Sequence, residues 1–263
     1  MDARTVELQG NEPNHKPDWA RLESNQCSHG PLSKEEHAYC PVALSLVNVT
    51  DAFKALRSFE SVDIFIETSE RRFVHSSSTQ KVLSSLVGLL ITTSGCPHTE
   101  VFKPMARFHL PVASEVETGY RAISMYLTAQ FFLMQEGLEP DFELKNIEQM
   151  YQNIHEVNFR VAERLRFAKD LESVVNGISI LDINAHVIPL HFEESISDIK
   201  SLFEPYLAQH RDGKSLPNAE VRKMPDIKPR KKPLAPTLPV SDSTQRVKSL
   251  LAQGLKQLLI SRI

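Results

Sequence analysis

The stretch that most clearly predicts a structural element covers residues 142–169 and reads FELKNIEQMYQNIHEVNFRVAERLRFAK. Its apolar residues recur every three or four positions, a spacing that places them on one face of an α-helix. The residues of this face are Ile147, Tyr151, Ile154, Val157, Val161, Leu165 and Ala168. The exposed side is predicted to carry Glu143, Lys145, Glu148, Arg160 and Arg164. We therefore expect a long amphipathic helix that packs against other helices.

Helical patterns also occur on both sides of this stretch. They begin near residues 41, 79, 115, 171 and 194. Ser114 and Glu117 have the spacing of a capping box, in which each residue satisfies a backbone N–H at the start of a helix. The stretch 122–135 has no charge and is apolar on several faces, which favours a central position for that helix. The β-branched content and Gly177 leave a strand open as an alternative for residues 171–188.

A short hairpin is predicted between the first two helices. Val62, Ile64 and Ile66 alternate with more polar positions, and residues 72–75 return after a turn. Because two strands alone are marginally stable, the hairpin must pack on helices. The predicted fold class is therefore mostly α (α+β): a helical bundle-like domain with one small β-hairpin near 62–75, a Pro-rich linker and a terminal amphipathic helix.

The chain divides into four predicted parts. Residues 1–38 are polar and contain Pro13 and Pro17, which predicts a largely disordered leader that Trp19 could anchor to the body. Residues 39–210 form the helical domain with its hairpin. Residues 211–240 contain six prolines and form a basic linker of extended conformation. Residues 241–263 follow as an amphipathic docking helix.

Charge is distributed unevenly along the 263 residues. The net charge of the whole chain is −3, which argues against a protein that binds nucleic acid over its whole surface. Residues 1–210 sum to −11, whereas residues 211–240 sum to +5 and residues 241–263 to +3. An acidic body joined to a basic tail could dock on itself or reach an acidic partner.

The C-terminal segment has the features of a docking helix. Ser241, Asp242 and Ser243 can cap its start. Five apolar residues then recur at helical spacing: Val247, Leu251, Leu255, Leu258 and Leu259. Such a face suits binding to a groove of a protein partner. Packing back on its own domain and pairing with a second copy are equally open, whereas a membrane-surface role has less support.

Two cysteines and two histidines lie close together in the leader. Cys27, His29, His37 and Cys40 supply the ligand types of a tetrahedral metal site, but their spacing matches no common zinc finger. A polar loop followed by a core cysteine is the favoured interpretation. The odd count of three cysteines points to a reducing compartment, hence a cytoplasmic protein.

A second candidate site lies in the loop after residue 95. Cys96 and His109 could form a thiol or metal site, and Lys103 and Arg107 could bind an anion such as phosphate or carboxylate. If Cys40 joined Cys96 and His109, a shared site holding zinc or iron would follow. The competing interpretation is a structural loop with a buried cysteine.

Four strings together resemble a known family: YCPVA at 39–43, SSLVGL at 84–89, SGCP at 94–97 and MARFHLP at 105–111. The chain resembles an uncharacterised bacterial domain family of unknown function over roughly residues 39–170. This resemblance implies no activity, cofactor or site residue.

Several enzyme classes lack support in the sequence. It contains no Walker loop, no glycine-rich dinucleotide motif, no His-Glu-x-x-His and no Gly-x-Ser-x-Gly. No signal peptide or membrane-spanning segment is predicted. We expect a non-enzymatic cytoplasmic adaptor or regulatory protein that uses its C-terminal helix for protein–protein interaction. The alternative is a metal- or thiol-dependent domain that uses Cys40, Cys96 and His109.

Overall fold

The computed structural model describes residue 6 and residues 12–28, 30–67, 72–166, 168, 171–190 and 192–211. Over these residues it has the helices α1 (Pro41–Phe53), α2 (Thr79–Thr92), α3 (Lys103–Arg107), α4 (Glu115–Gln135), α5 (Ile147–Arg166), α6 (Glu172–Leu190) and α7 (Phe192–Arg211). The strands are β1 (Ser61–Glu67) and β2 (Arg72–Ser78), and single 3-10 turns cover Asp18–Ala20 and Glu100–Phe102. The predicted linker beyond Arg211 and the predicted terminal helix lie outside the described residues.

Helix α6 lies at the centre of the fold. It packs along α2 on one side and along α5 on another, and it also contacts α1, α4 and α7. Val174 and Ile178 of α6 have no solvent exposure, and they pack with Leu83 of α2 and Val161 of α5. Residues 172–188, for which the sequence also allows a strand, are therefore helical. The predicted apolar face of α5 is confirmed, but Arg164, which was predicted on the exposed side, is buried.

Helix α4 is not the central helix that its uncharged sequence predicts. It buries one face, formed by Gly119, Ala122, Ile123, Tyr126 and Gln130. Phe131, Phe132 and Met134 of the same helix remain exposed. The prediction was wrong because an apolar composition shows only that the surface of a helix is hydrophobic. It does not show whether that surface is covered by the same domain or by another segment or protein.

Close contact between α2 and α6 depends on Gly177. A Cβ atom at this position would lie 2.8 Å from the Cβ of Leu83 and 3.1 Å from the backbone nitrogen of Ser84. Neither of those atoms can move without moving α2 itself. Gly88 of α2, by contrast, faces only the end of the Leu181 side chain, at 3.3 Å.

The predicted hairpin is confirmed. Strands β1 and β2 pair antiparallel with Ser61 opposite Ser78 and Glu67 opposite Arg72. Strand β2 runs directly into α2, and the N–H of Thr79 donates to the carbonyl of Glu60 at 2.8 Å, which closes the base of the hairpin. The described residues are thus mostly α-helical with one small hairpin, the predicted fold class.

The leader is ordered over residues 12–28 and 30–38, where its polar composition predicts disorder. Ala20 and Leu22 are buried, and the Arg164 side chain of α5 donates hydrogen bonds to the carbonyls of Trp19, Arg21 and Leu22. Trp19 packs on the core as predicted. The buried guanidinium of Arg164 needs several hydrogen-bond acceptors, and the carbonyls of the leader supply them. These hydrogen bonds hold the leader on the domain. The domain boundaries themselves stay predictions.

Prolines lie at the end of α6 and within α7. Pro189 precedes the last residue of α6, and α7 continues past Pro205 to Arg211. Within the described parts of the chain, no helix is both long and apolar enough to cross a bilayer.

A pair of glycine substitutions tests the contact between α2 and α6. Alanine at a helix-interior glycine position gains about 1 kcal/mol of helix propensity. We expect Gly177→Ala nevertheless to lower the free energy of unfolding by about 1–3 kcal/mol, because the new methyl group meets backbone. Gly88→Ala should be neutral or stabilising, because Leu181 can shift its side-chain end. Urea unfolding of both variants measures the difference, and equal effects would contradict the assigned contact.

Candidate functional site

A cleft of about 800 Å³ runs through the domain beside the central helices. It is lined by α2, by the segment between residues 102 and 113, by the first turns of α4, and by parts of α5 and α6. Its volume lies in the range of known small-molecule sites, about 300–1,000 Å³. We therefore take this cleft as the candidate functional site and describe its polar residues in turn.

Ser85 and His109 form a hydrogen-bonded pair in the wall of the cleft. The His109 Nε2 lies 3.2 Å from the Ser85 Oγ, which also accepts a hydrogen bond from the N–H of Val112 at 3.0 Å. The Ser85 hydroxyl can donate to His109 or accept from it, so the direction of this hydrogen bond follows the tautomer of the ring. Burial, with help from the nearby positive charge of Arg121, lowers the pKa of His109 to about 4. A neutral imidazole of such low basicity is a poor general base at pH 7, so the pair serves to hold the 109–112 loop on α2.

Arg121 places a cationic side chain in the same cleft. Its Nη2 donates to the carbonyl of Met105 at 2.7 Å, while its buried Nε has no hydrogen-bond partner. Burial lowers the pKa of the guanidinium. The carboxylate of Glu117 acts to raise the pKa of Arg121, but it accepts hydrogen bonds from Ser114 in the capping box. Among the described residues Arg121 forms no ion pair, so its charge is poorly compensated.

Asn158 of α5 is an unsatisfied polar group in the wall of this cleft. It has no solvent exposure, and neither its Nδ2 nor its Oδ1 has a hydrogen-bond partner. Leaving a buried polar group unpaired costs about 1–3 kcal/mol. Such a cost is tolerated where function needs the group. Because the amide has no solvent exposure, a ligand with both an acceptor and a donor could satisfy it only if the wall of the cleft moved.

Sequence reasoning missed both Arg121 and Asn158. Asn158 lies four residues after Ile154 and three before Val161, on the buried face of α5, so a polar residue inside an apolar stripe was the available signal. Arg121 is the last charged residue before the uncharged stretch of α4. Neither signal shows that the two residues line the same cleft, because that depends on how α4 packs against α5 and α6.

The predicted anion-binding residues lie elsewhere. The Nζ of Lys103 pairs with the Oε1 of Glu100 at 2.7 Å. Arg107 is exposed, and its guanidinium lies 5.5 Å from the ring centre of Phe108. Neither residue lines the cleft, although the segment that carries them does.

The three cysteines converge, although far apart in sequence. Cys96 is buried in the main apolar core, and Cys27 and Cys40 pack against that core, all three as free thiols. Burial raises the pKa of Cys27 to about 11, with smaller contributions from Cys40 and Cys96, and burial also raises the pKa of Cys96. Burial therefore favours the protonated form of the Cys27 and Cys96 thiols over the thiolate, which is the nucleophile.

The histidines predicted to join these thiols are placed differently. His37 is exposed, His109 belongs to the cleft, and His29 lies outside the described residues. Over the part of the chain that the structure describes, no three His, Cys, Asp or Glu side chains are arranged to hold a metal ion. The predicted partner-binding residues Val247, Leu251, Leu255, Leu258 and Leu259 also lie outside the described part.

Comparison with known proteins identifies a family without an assigned activity. Residues 1–204 match the family model described as "Domain of unknown function (DUF6901)". The match extends beyond the 39–170 region of resemblance at both ends, so it includes the leader and most of α7. None of the curated proteins and none of the solved structures matches the chain.

The low pKa of His109 predicts a loss of stability in mild acid. The unfolded chain binds a proton at this residue below about pH 6.5, whereas the folded protein does so only near pH 4. The free energy of unfolding should therefore fall as the pH drops from 6.5 to 4, by an amount on the order of 2 kcal/mol for this residue. His109→Gln, which can still accept from Ser85, should remove that part of the fall.

Urea unfolding at pH 7.0 and 4.5 measures this effect. The exposed His37→Gln variant is the matched control and should follow the wild-type protein. If His109→Gln also kept the full wild-type pH dependence, the burial of this imidazole in its neutral form would be refuted.

Proposed function

The chain belongs to the DUF6901 family, whose description gives no activity, and we propose from the cleft that it is a non-enzymatic regulatory protein that binds a small organic acid. The observation that carries this proposal is the Arg121 guanidinium, which lines the cleft without an ion pair. Taking a cation out of water is costly unless an anion or several acceptors compensate it. A bound carboxylate would supply that compensation.

The chemistry of the cleft favours a carboxylate over a phosphate. A guanidinium binds the two oxygens of a carboxylate in a planar, fork-like geometry. Lys81 and Arg121 line the cleft together with Glu115 and Glu117, so these four side chains have no net charge and do not compensate the second charge of a phosphate. Neutral His109 adds no further charge.

Asn158 narrows the ligand class further. If a ligand moves the wall of the cleft and reaches this buried amide, the Nδ2 can donate to an acid oxygen and the Oδ1 needs a donor such as a hydroxyl group. Leu89, Phe102 and Met105 supply apolar surface in the same cleft. A hydroxy acid with an apolar body matches this set of groups, and small hydroxy aromatic acids are the simplest members of that class.

Calorimetry on the full chain tests the proposal. We expect 4-hydroxybenzoate to bind, and glycerol and inorganic phosphate to bind at least about tenfold more weakly. Arg121→Gln should weaken the binding of 4-hydroxybenzoate by about tenfold or more, since a charge-assisted pair contributes about 1.5–3 kcal/mol.

The matched control is Arg107→Gln, which removes an exposed arginine from the neighbouring α3. We expect this variant to bind the acid as the wild-type protein does. Binding lost in Arg107→Gln but kept in Arg121→Gln would contradict the proposed site, as would binding that neither substitution changes.

Asn158→Leu should preserve or raise the stability of the protein and remove its affinity for the ligand. Replacing an unpaired buried amide with an apolar side chain of similar shape removes a desolvation cost. We therefore expect an unchanged or higher melting temperature, by up to about 2–4 °C, for the ligand-free variant. The same variant should lose the affinity for 4-hydroxybenzoate. A large fall in melting temperature without ligand would show that the chain itself already satisfies Asn158.

A second candidate function is the cytoplasmic adaptor that the sequence suggests. Its support in the structure is the exposed apolar surface of α4 and α7, while the predicted C-terminal helix lies outside the described residues. The free state of all three cysteines supports a cytoplasmic location.

Interactions that survive deletion of residues 213–263 would argue against this adaptor function. Zinc or iron retained by the purified protein and lost in Cys40→Ser would instead support the metal-dependent alternative.

A further inference from the structure

Two helices that contact each other expose large apolar side chains on the surface of the domain. Phe132 at the end of α4 is 56% exposed and Leu202 of α7 is 76% exposed. We use the name α4–α7 face for the exposed apolar residues of this region, which are Phe131, Phe132, Met134, Leu138, Phe142, Leu202, Phe203 and Tyr206. An apolar surface of this kind in a water-soluble domain is typical of a surface that another segment or protein covers.

The α4–α7 face is also acidic along one border. Residues 131–148 contain five carboxylates and a single basic residue, Lys145. Glu136 and Glu139 are exposed beside the apolar side chains. A segment that covers this face should therefore combine an apolar stripe with positive charge, because charge complementarity favours the correct partner.

The chain itself contains such a segment. Residues 241–263 have a net charge of +3, and the preceding residues 211–240 add +5. The apolar stripe of residues 247–259 has the spacing of a helix face. This combination of charge and apolar spacing is complementary to the acidic border and the exposed aromatic residues of the face.

The tether places this segment close to the face. The described chain ends at Arg211, which is the last residue of α7, and α7 carries part of the face. The 29 residues between Arg211 and Ser241 span about 30 Å as a flexible chain and more if extended by their prolines. A domain of about 200 residues has a radius of gyration of about 17 Å, so the segment reaches the face easily. A tether of this length gives a millimolar effective concentration, which favours binding within one chain.

We propose that residues 241–263 bind as an amphipathic helix to the α4–α7 face of the same chain. Leu251, Leu255 and Leu258 pack against the exposed aromatic side chains, and Lys248 and Lys256 lie near the acidic border. A partner protein of similar character would have to displace this helix before it could use the face. The proposal does not depend on the cleft or its ligand.

Hydrogen exchange measured by mass spectrometry on the full chain tests the proposal. At low micromolar concentration, we expect the backbone amides of residues 247–259 to exchange at least tenfold more slowly than an unstructured chain. In the double variant Leu251→Glu, Leu255→Glu this protection should be lost. The double variant Ser249→Glu, Gln253→Glu introduces the same charge on the opposite side of the predicted helix and should retain most of it.

Substitutions on the face distinguish the binding site. Phe132→Glu should remove the protection of residues 247–259, whereas Val74→Glu, an equally exposed apolar position on β2, should leave it intact. Circular dichroism confirms that each variant remains helical. Three outcomes would overturn the proposal: tail amides that exchange freely in the wild-type protein, protection that Phe132→Glu does not change, or protection that increases with concentration as the mass doubles. The calorimetric test of the cleft is unaffected by any of them.

Discussion

The contact between α2 and α6 at Gly177 is the constraint on which the rest of this structure depends. With no side chain there, the backbone of α6 approaches Leu83 and Ser84 so closely that a single methyl group would not fit. This contact puts α6 between α2 and α5, and the buried side chains of all three helices then form one core with α1. Helix α4 is left at the border of this group, and the cleft is the space that remains where α4, α5 and α6 meet α2.

Arg164, which is buried, and Arg121, which is half-buried, show how differently the same side chain can be used. Arg164 donates to three backbone carbonyls of the leader, so its cost of burial is offset by hydrogen bonds within the chain. Arg121 donates to one carbonyl only, and among the described residues the Nε of each arginine has no partner. The first arginine therefore stabilises the fold, while the second leaves binding capacity unused. The unpaired amide of Asn158 in the same cleft supports the same interpretation.

Local patterns were sufficient to predict most of the elements. The three-four spacing in α5, the alternation in β1 and the Ser114–Glu117 capping box each depend on neighbouring residues, and each is confirmed. The position of α4 and the order of the leader depend on contacts between distant residues, for which composition is no guide. The cleft was missed for the same reason, since its polar residues come from different helices. The three thiols lie at one core, whereas His109 is paired with Ser85 in the cleft, so the sequence could suggest a shared site but not where its residues lie.

The anchoring of the leader by Arg164 has a consequence for how the protein is made. The carbonyls of Trp19, Arg21 and Leu22 precede their donor by more than 140 residues. A ribosome that adds about 5–20 residues per second needs about 7–30 s to synthesise that interval. During this time residues 19–22 lack the guanidinium that holds them in the folded domain. The central helix α6 is synthesised later still, so the leader waits for its anchor through most of the synthesis of the domain and is open to a chaperone over that interval.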